Sequence, residues 1–111
     1  MSDYFKEFNA AVTVCDTECI VVWMNEKAKL VNHGDFTGKS LLDCHPEPAR
    51  TKLLDLMQNQ KTNTYTIEKG DIKKLIYQSP WYKNGIFAGI VELSIEIPFE
   101  MPHYIRKTIT N

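Results

Sequence analysis

Asn84-Gly85 stands between two long runs of alternating residues, 72–82 and 86–97. An Asn-Gly pair takes positive φ at both central positions of a tight turn, which matches the twist of two antiparallel strands. The C-terminal third is therefore predicted to be a long hairpin. In its first arm Leu75, Tyr77 and Trp81 share a face. In its second, Phe87, Val91, Leu93, Ile95 and Ile97 line up and are expected to face the core. Ile86, Ala88 and Ile90 would then form an apolar stripe on the outer face, which a monomer rarely leaves bare.

A third strand precedes the hairpin. Residues 62–69 alternate, with Tyr65 and Ile67 on one side, and Gly70-Asp71 supplies the turn. Near the N-terminus, 11–15 and 20–24 are β-branched runs joined by the polar stretch Asp16 to Cys19, which predicts another hairpin. Helical signals fill the middle: 26–31, with Ala28, Leu30 and Val31 offered to the core; a turn at 40–43; and a longer helix over 47–59, where Pro48 suits the first turn and Ala49, Leu53, Leu56 and Met57 share one side. Residues 2–8 read as a short amphipathic helix, capped by Ser2, with Tyr4, Phe5 and Phe8 on one side. The order is helix, two strands, short helices and three strands: an α+β chain, with a tail from Pro98 that has no periodicity. We divide it into a helix at 1–9, a domain at 10–97 and a tail at 98–111. Met1 is read as a true start, whereas Asn111 need not be an end.

With 111 residues and 43% apolar content, one core is expected. The net charge of −1 and scattered basic residues argue against nucleic acid. No apolar run reaches bilayer length, and the N-terminus lacks a signal core. Three cysteines, Cys15, Cys19 and Cys44, show no framework spacing, so a reducing compartment, the cytoplasm, is expected.

Several local features resemble the PAS family of sensory domains. Met24-Asn25-Glu26-Lys27-Ala28 is similar to the family's strand-ending Asn and helical Ala. Gly38 to Leu42 resembles its Gly and small helix, and His45-Pro46-Glu47-Pro48-Ala49-Arg50 resembles the stretch that opens its long helix, with Pro48 in place of an acidic residue. The resemblance covers residues 10–97. It implies a five-stranded antiparallel sheet with short helices on one face, and a pocket between them that holds haem, flavin, a metabolite or nothing, depending on the member. It also implies signalling across the sheet's outer face and flanking helices, often in a homodimer.

Candidate pocket residues are Tyr65, Tyr77, Trp81 and His45; the aromatics with polar tips suit a pocket wall, though such residues more often simply fill cores. His45 is either a haem ligand or a turn residue bonded to local backbone, and the latter is the commoner role. No cofactor is expected, with haem as the exception. Dimer-contact candidates are Tyr4, Phe5, Phe8, Ile86 and Ile90. Cys44 beside His45 makes neither a catalytic pair nor a zinc pattern, and it lacks the residues that surround a flavin-adduct cysteine. No hydrolase, phosphate-loop or metalloprotease motif occurs. The expectation is a non-enzymatic sensor that binds a small ligand or a signalling partner in trans. A haem sensor and a ligand-free dimerisation module are the alternatives.

Overall fold

The computed structural model describes residues 3–109. Five antiparallel strands form one sheet: β1 (Ala11–Cys15), β2 (Val21–Met24), β3 (Asn63–Lys69), β4 (Ile72–Lys83) and β5 (Ile86–Ile97), in spatial order β2-β1-β5-β4-β3. The last strand in sequence is thus the central one. Asn84 and Gly85 take φ of 53° and 81°, the left-handed pair that a two-residue hairpin requires.

The helices sit between β2 and β3 in the chain: α2 (Glu26–Val31), a 3-10 turn at Leu41–Cys44 and α3 (Ala49–Asn59). Asn25 caps α2, its Oδ1 accepting from the Ala28 amide, and Ser40 caps the 3-10 turn through the Leu42 amide. The short α1 (Asp3–Lys6) precedes the sheet, and Phe5 and Phe8 pack edge to face with ring centroids 5.7 Å apart. Ser2, the expected cap, lies outside the described residues. Beyond Ile97 the chain has no regular structure as far as Ile109, and it is exposed throughout.

Leu53 and Leu56 of α3 are fully buried, packed in one cluster with Cys15, Cys19, Val21, Met24, Ala28, Leu41 and Ile90. This cluster corrects the facing predicted for β5. Ile90 pairs with Cys15, is 1% exposed, and lies in the core beneath the helices rather than on the outer face. Because side chains alternate, Glu92, Ser94 and Glu96 share its side, whereas Val91, Leu93, Ile95 and Ile97 point outwards. Register carries the same parity into β4: Lys74, Ile76, Gln78 and Pro80 face the helices, while Leu75, Tyr77 and Trp81 face away.

Along β5 beyond Ile90 and the part of β4 paired with it, the usual polarity of the sheet is therefore reversed. There the more apolar rows lie outside, and much of the row under the helices is polar. Two smaller corrections follow from helix placement. Leu30 is 71% exposed, and Ala49 is exposed at the start of α3, which begins two residues later than expected.

Candidate functional site

The strands align one residue from each across the helix-facing side: Asn63, Gln78, Glu92, Thr13 and Met24 are successive partners from β3 to β2. At the β3–β4–β5 end this row is a hydrogen-bonded chain. Asn63 Nδ2 donates to Gln78 Oε1 at 3.0 Å, and Gln78 Nε2 donates to Glu92 Oε1 at 2.7 Å. Gln78 is buried, and its two bonds offset the cost of taking an amide out of water.

Helices cover this floor only partly. A cleft of about 520 Å³ opens between α3 and β3, lined by His45, Pro48, Ala49, Lys52, Asn63, Tyr65 and Gln78. Two narrower cavities adjoin it. One of about 160 Å³ lies among Met24, Asn32, Phe36, Leu41, His45 and Glu92. The other, of about 210 Å³, is bounded by Tyr65, Asn32 and Glu92 together with residues of β1, β3, β4 and β5. His45 belongs to the first two spaces, Tyr65 to the cleft and the third, and Asn32 with Glu92 to both narrow ones. His45 and Tyr65 thus join the wide cleft to the narrow cavities, Glu92 borders only the narrow ones, and the cleft is of small-molecule size.

His45 is fixed by the 3-10 turn before it. Its Nδ1 lies 2.8 Å from the Leu41 carbonyl, which can only accept, so Nδ1 carries the proton. In the neutral ring Nε2 is then a lone-pair acceptor, with no bond to the protein among the described residues. Burial raises the Tyr65 phenol above its ordinary value, and the Glu92 carboxylate adds to the effect. Burial likewise pushes the Cys15 thiol up to about 12.

Of the four sequence-selected pocket residues, His45 and Tyr65 border the cleft. Tyr77 and Trp81 do not: the parity of β4 places both on the opposite face. There Trp81 donates its indole N–H to the Cys15 carbonyl at 3.0 Å. Tyr4, Phe5, Phe8 and Ile86 are exposed, whereas Ile90 is not. Asn32, Lys52, Asn63, Gln78 and Glu92 were not singled out from the sequence. Gln78 and Glu92 belong to the row of β4 and β5 that was expected to face outwards, and Asn32, Lys52 and Asn63 lie at or near element ends or on an exposed helix face with no periodic signal. The Cys44 side chain lies outside the described residues. Cys15 and Cys19 are free and buried. Among the described residues no three His, Cys, Asp or Glu side chains gather as a metal group, and no helix is long and apolar enough to cross a membrane.

The strand order and the placing of the helices match solved structures. The PAS domain of histidine kinase ThkA superposes with a TM-score of 0.66 at 14% identity, covering 79% of this chain and 99% of that one.

This is a PAS fold.

The PAS domain of BvgS from Bordetella pertussis gives 0.65 at 16% identity over 86% of this chain and 82% of that one. That of an HTR-like protein from Haloarcula marismortui gives 0.59 at 13%, covering 85% and 86%. No family model and no curated protein matches the sequence. The PAS fold expected from the sequence is thus present, with the β2-β1-β5-β4-β3 sheet and the helices on one face. Fold alone does not assign a ligand or a partner.

Proposed function

We propose that this chain is a non-enzymatic sensory signalling domain, in which a small molecule occupies the cleft under the helices and the outer sheet face carries the response to a second copy of the chain. One observation carries the reading: the reversed polarity of the sheet along β4 and β5. A polar row bonded across three strands, where helices would ordinarily meet apolar side chains, holds hydrogen-bonding groups in fixed positions along the cleft. An apolar outer row of Leu75, Val91, Leu93, Ile95 and Ile97 is a surface that water disfavours. β5 contributes to both faces, so a displacement of Glu92 is felt by its neighbours Val91 and Leu93. The exposed aromatics Tyr4, Phe5 and Phe8 are offered as a second part of that contact. Buried free thiols suit a reducing compartment such as the cytoplasm.

The donor set fits a polar small molecule better than haem. His45 Nε2 is available as an axial ligand, but a haem needs an apolar slot, and the floor here is the Asn63–Gln78–Glu92 chain. Sedimentation velocity with Leu93→Glu tests the output surface. The wild type is expected to sediment as a dimer and Leu93→Glu as a folded monomer. A monomeric wild type, or an unchanged dimer in the variant, contradicts the assignment. A melting temperature unmoved across a metabolite library would leave the ligand-free dimerisation module.

A further inference from the structure

The narrow cavity of about 160 Å³ has an unusual set of polar walls. Glu92 spends Oε1 on Gln78, and its second oxygen has no donor among the described residues. Asn32 donates one Nδ2–H to the Ala28 carbonyl at 2.8 Å, which leaves its Oδ1 and a second N–H. His45 spends its N–H on Leu41, which leaves the Nε2 lone pair. Met24 Sδ already accepts from the Phe36 amide. Leu41 and Phe36 complete the wall with apolar surface. Residues bearing three open acceptors, one of them a half-buried carboxylate, thus border a single small space, against one open side-chain donor, the second N–H of Asn32.

The carboxylate also lacks a countercharge. Among the described residues the only ion pairs are Lys29 with Glu26 and Asp35, and Lys61 with Asp55. Lys74 borders the adjoining 210 Å³ cavity together with Glu92, yet no ion pair forms between them. An uncompensated charge held partly out of water is unfavourable, and it attracts a cation. The Tyr65 phenol is raised first by burial and then by the Glu92 carboxylate, which lies near enough to act on a residue of the wide cleft. Lys52 is exposed and lines the wide cleft but not the narrow cavity, and solvent screens its charge.

We propose that the ligand is a small protonated amine or amidine, its cationic head held by Glu92, Asn32 and His45 and its apolar body lying in the wide cleft against Tyr65, Pro48 and Ala49. This rests on the reading of the cleft as a ligand site and adds the chemical class. An ammonium head offers three N–H donors, the number of acceptors available. An inorganic cation fits less well, because no three His, Cys, Asp or Glu side chains gather among the described residues. The open side of the wide cleft gives the body of the molecule a way in.

The test is calorimetric titration of the full chain with benzamidine and phenethylamine, against benzoate and phenylacetate as shape-matched anions, backed by a neutral metabolite library. The two cations are expected to bind and the two anions not. Glu92→Gln keeps an acceptor for Gln78 and removes the charge, and it should weaken cation binding at least about tenfold. The cation–anion contrast is read on the wild type, so it stands even if that variant folds poorly. Equal cation binding by the wild type and Glu92→Gln overturns the assignment of Glu92. Binding of the anions or of neutral metabolites alone overturns the chemical class and leaves the cleft as a ligand site. Silence from every probe and from the library overturns both.

Discussion

The Asn25 side-chain amide donates to the Phe5 carbonyl at 2.9 Å, tying the N-terminal segment to the end of β2. The same side chain accepts from the Val12 and Ala28 amides and donates to the Ala10 carbonyl at 2.7 Å, and it is wholly buried. One residue therefore caps α2, closes the β1–β2 end of the sheet and anchors α1. Asn25→Ala strands two amides and two carbonyls, and should cost about 3 kcal/mol in urea unfolding. A loss under about 1 kcal/mol would show that solvent replaces these bonds.

Gly89 marks a second tight place. A Cβ there would collide with the Cys15 carbonyl oxygen, and φ is 142°. β5 and β1 approach so closely at this point that Gly89→Ala should fail to give a folded protein or lose more than about 3 kcal/mol. Gly70 has φ of 63°, and a methyl added there would meet nothing within 4 Å, so Gly70→Ala should cost only about 1 kcal/mol. Comparable losses for the two variants in thermal melts would contradict the account of Gly89.

The facing of β5 gives a paired prediction. Ile90→Glu puts a charge into the cluster around Leu53 and Leu56 and should unfold the domain. Leu93→Glu should leave the far-ultraviolet circular dichroism unchanged. A folded Ile90→Glu variant would contradict the parity assigned to this strand.

Most of the elements were legible in the sequence because their signals are local. The Asn84-Gly85 turn, the limits of β5 and the span of α2 follow from turn chemistry and short-range periodicity. Which side of the sheet meets the helices was not legible. Alternation reports two rows and says nothing about which is covered, and the rule that the more apolar row faces the core fails when that side holds a polar cleft. For this reason Ile90 lies on the side opposite to the expected one, and Tyr77 and Trp81 lie away from the pocket they were expected to line. Tyr65 and His45 border the cleft because the pairing of β3 with β4 and the 3-10 turn place them there, which the same choice of aromatics and histidine could not distinguish from Tyr77 and Trp81. Glu92, Gln78 and Asn63 become visible only when three strands are laid side by side.

Cys15 predicts an alkaline limit to stability. Its thiol is held protonated in the fold up to about 12, against an ordinary value of 9.0, mainly by burial. Between those values the unfolded chain releases a proton that the folded chain keeps, so the unfolded state binds fewer protons and stability falls as pH rises. The contribution is complete below pH 9.0 and is lost progressively towards 12. Urea midpoints should therefore decline above about pH 9, and less so in Cys15→Ala once its own baseline is set. A flat profile in the wild type would contradict a buried thiol.

The cleft beneath the helices is the proposed ligand site. The most direct measurement is a titration of isotope-labelled protein with benzamidine and phenethylamine, followed by backbone amide shifts. The largest shifts are expected at the helix-facing residues around His45, Asn63, Tyr65, Gln78 and Glu92, with weaker changes relayed to Val91 and Leu93. Shifts centred on the outer face or the tail, or none with any molecule tried, would contradict the proposed site.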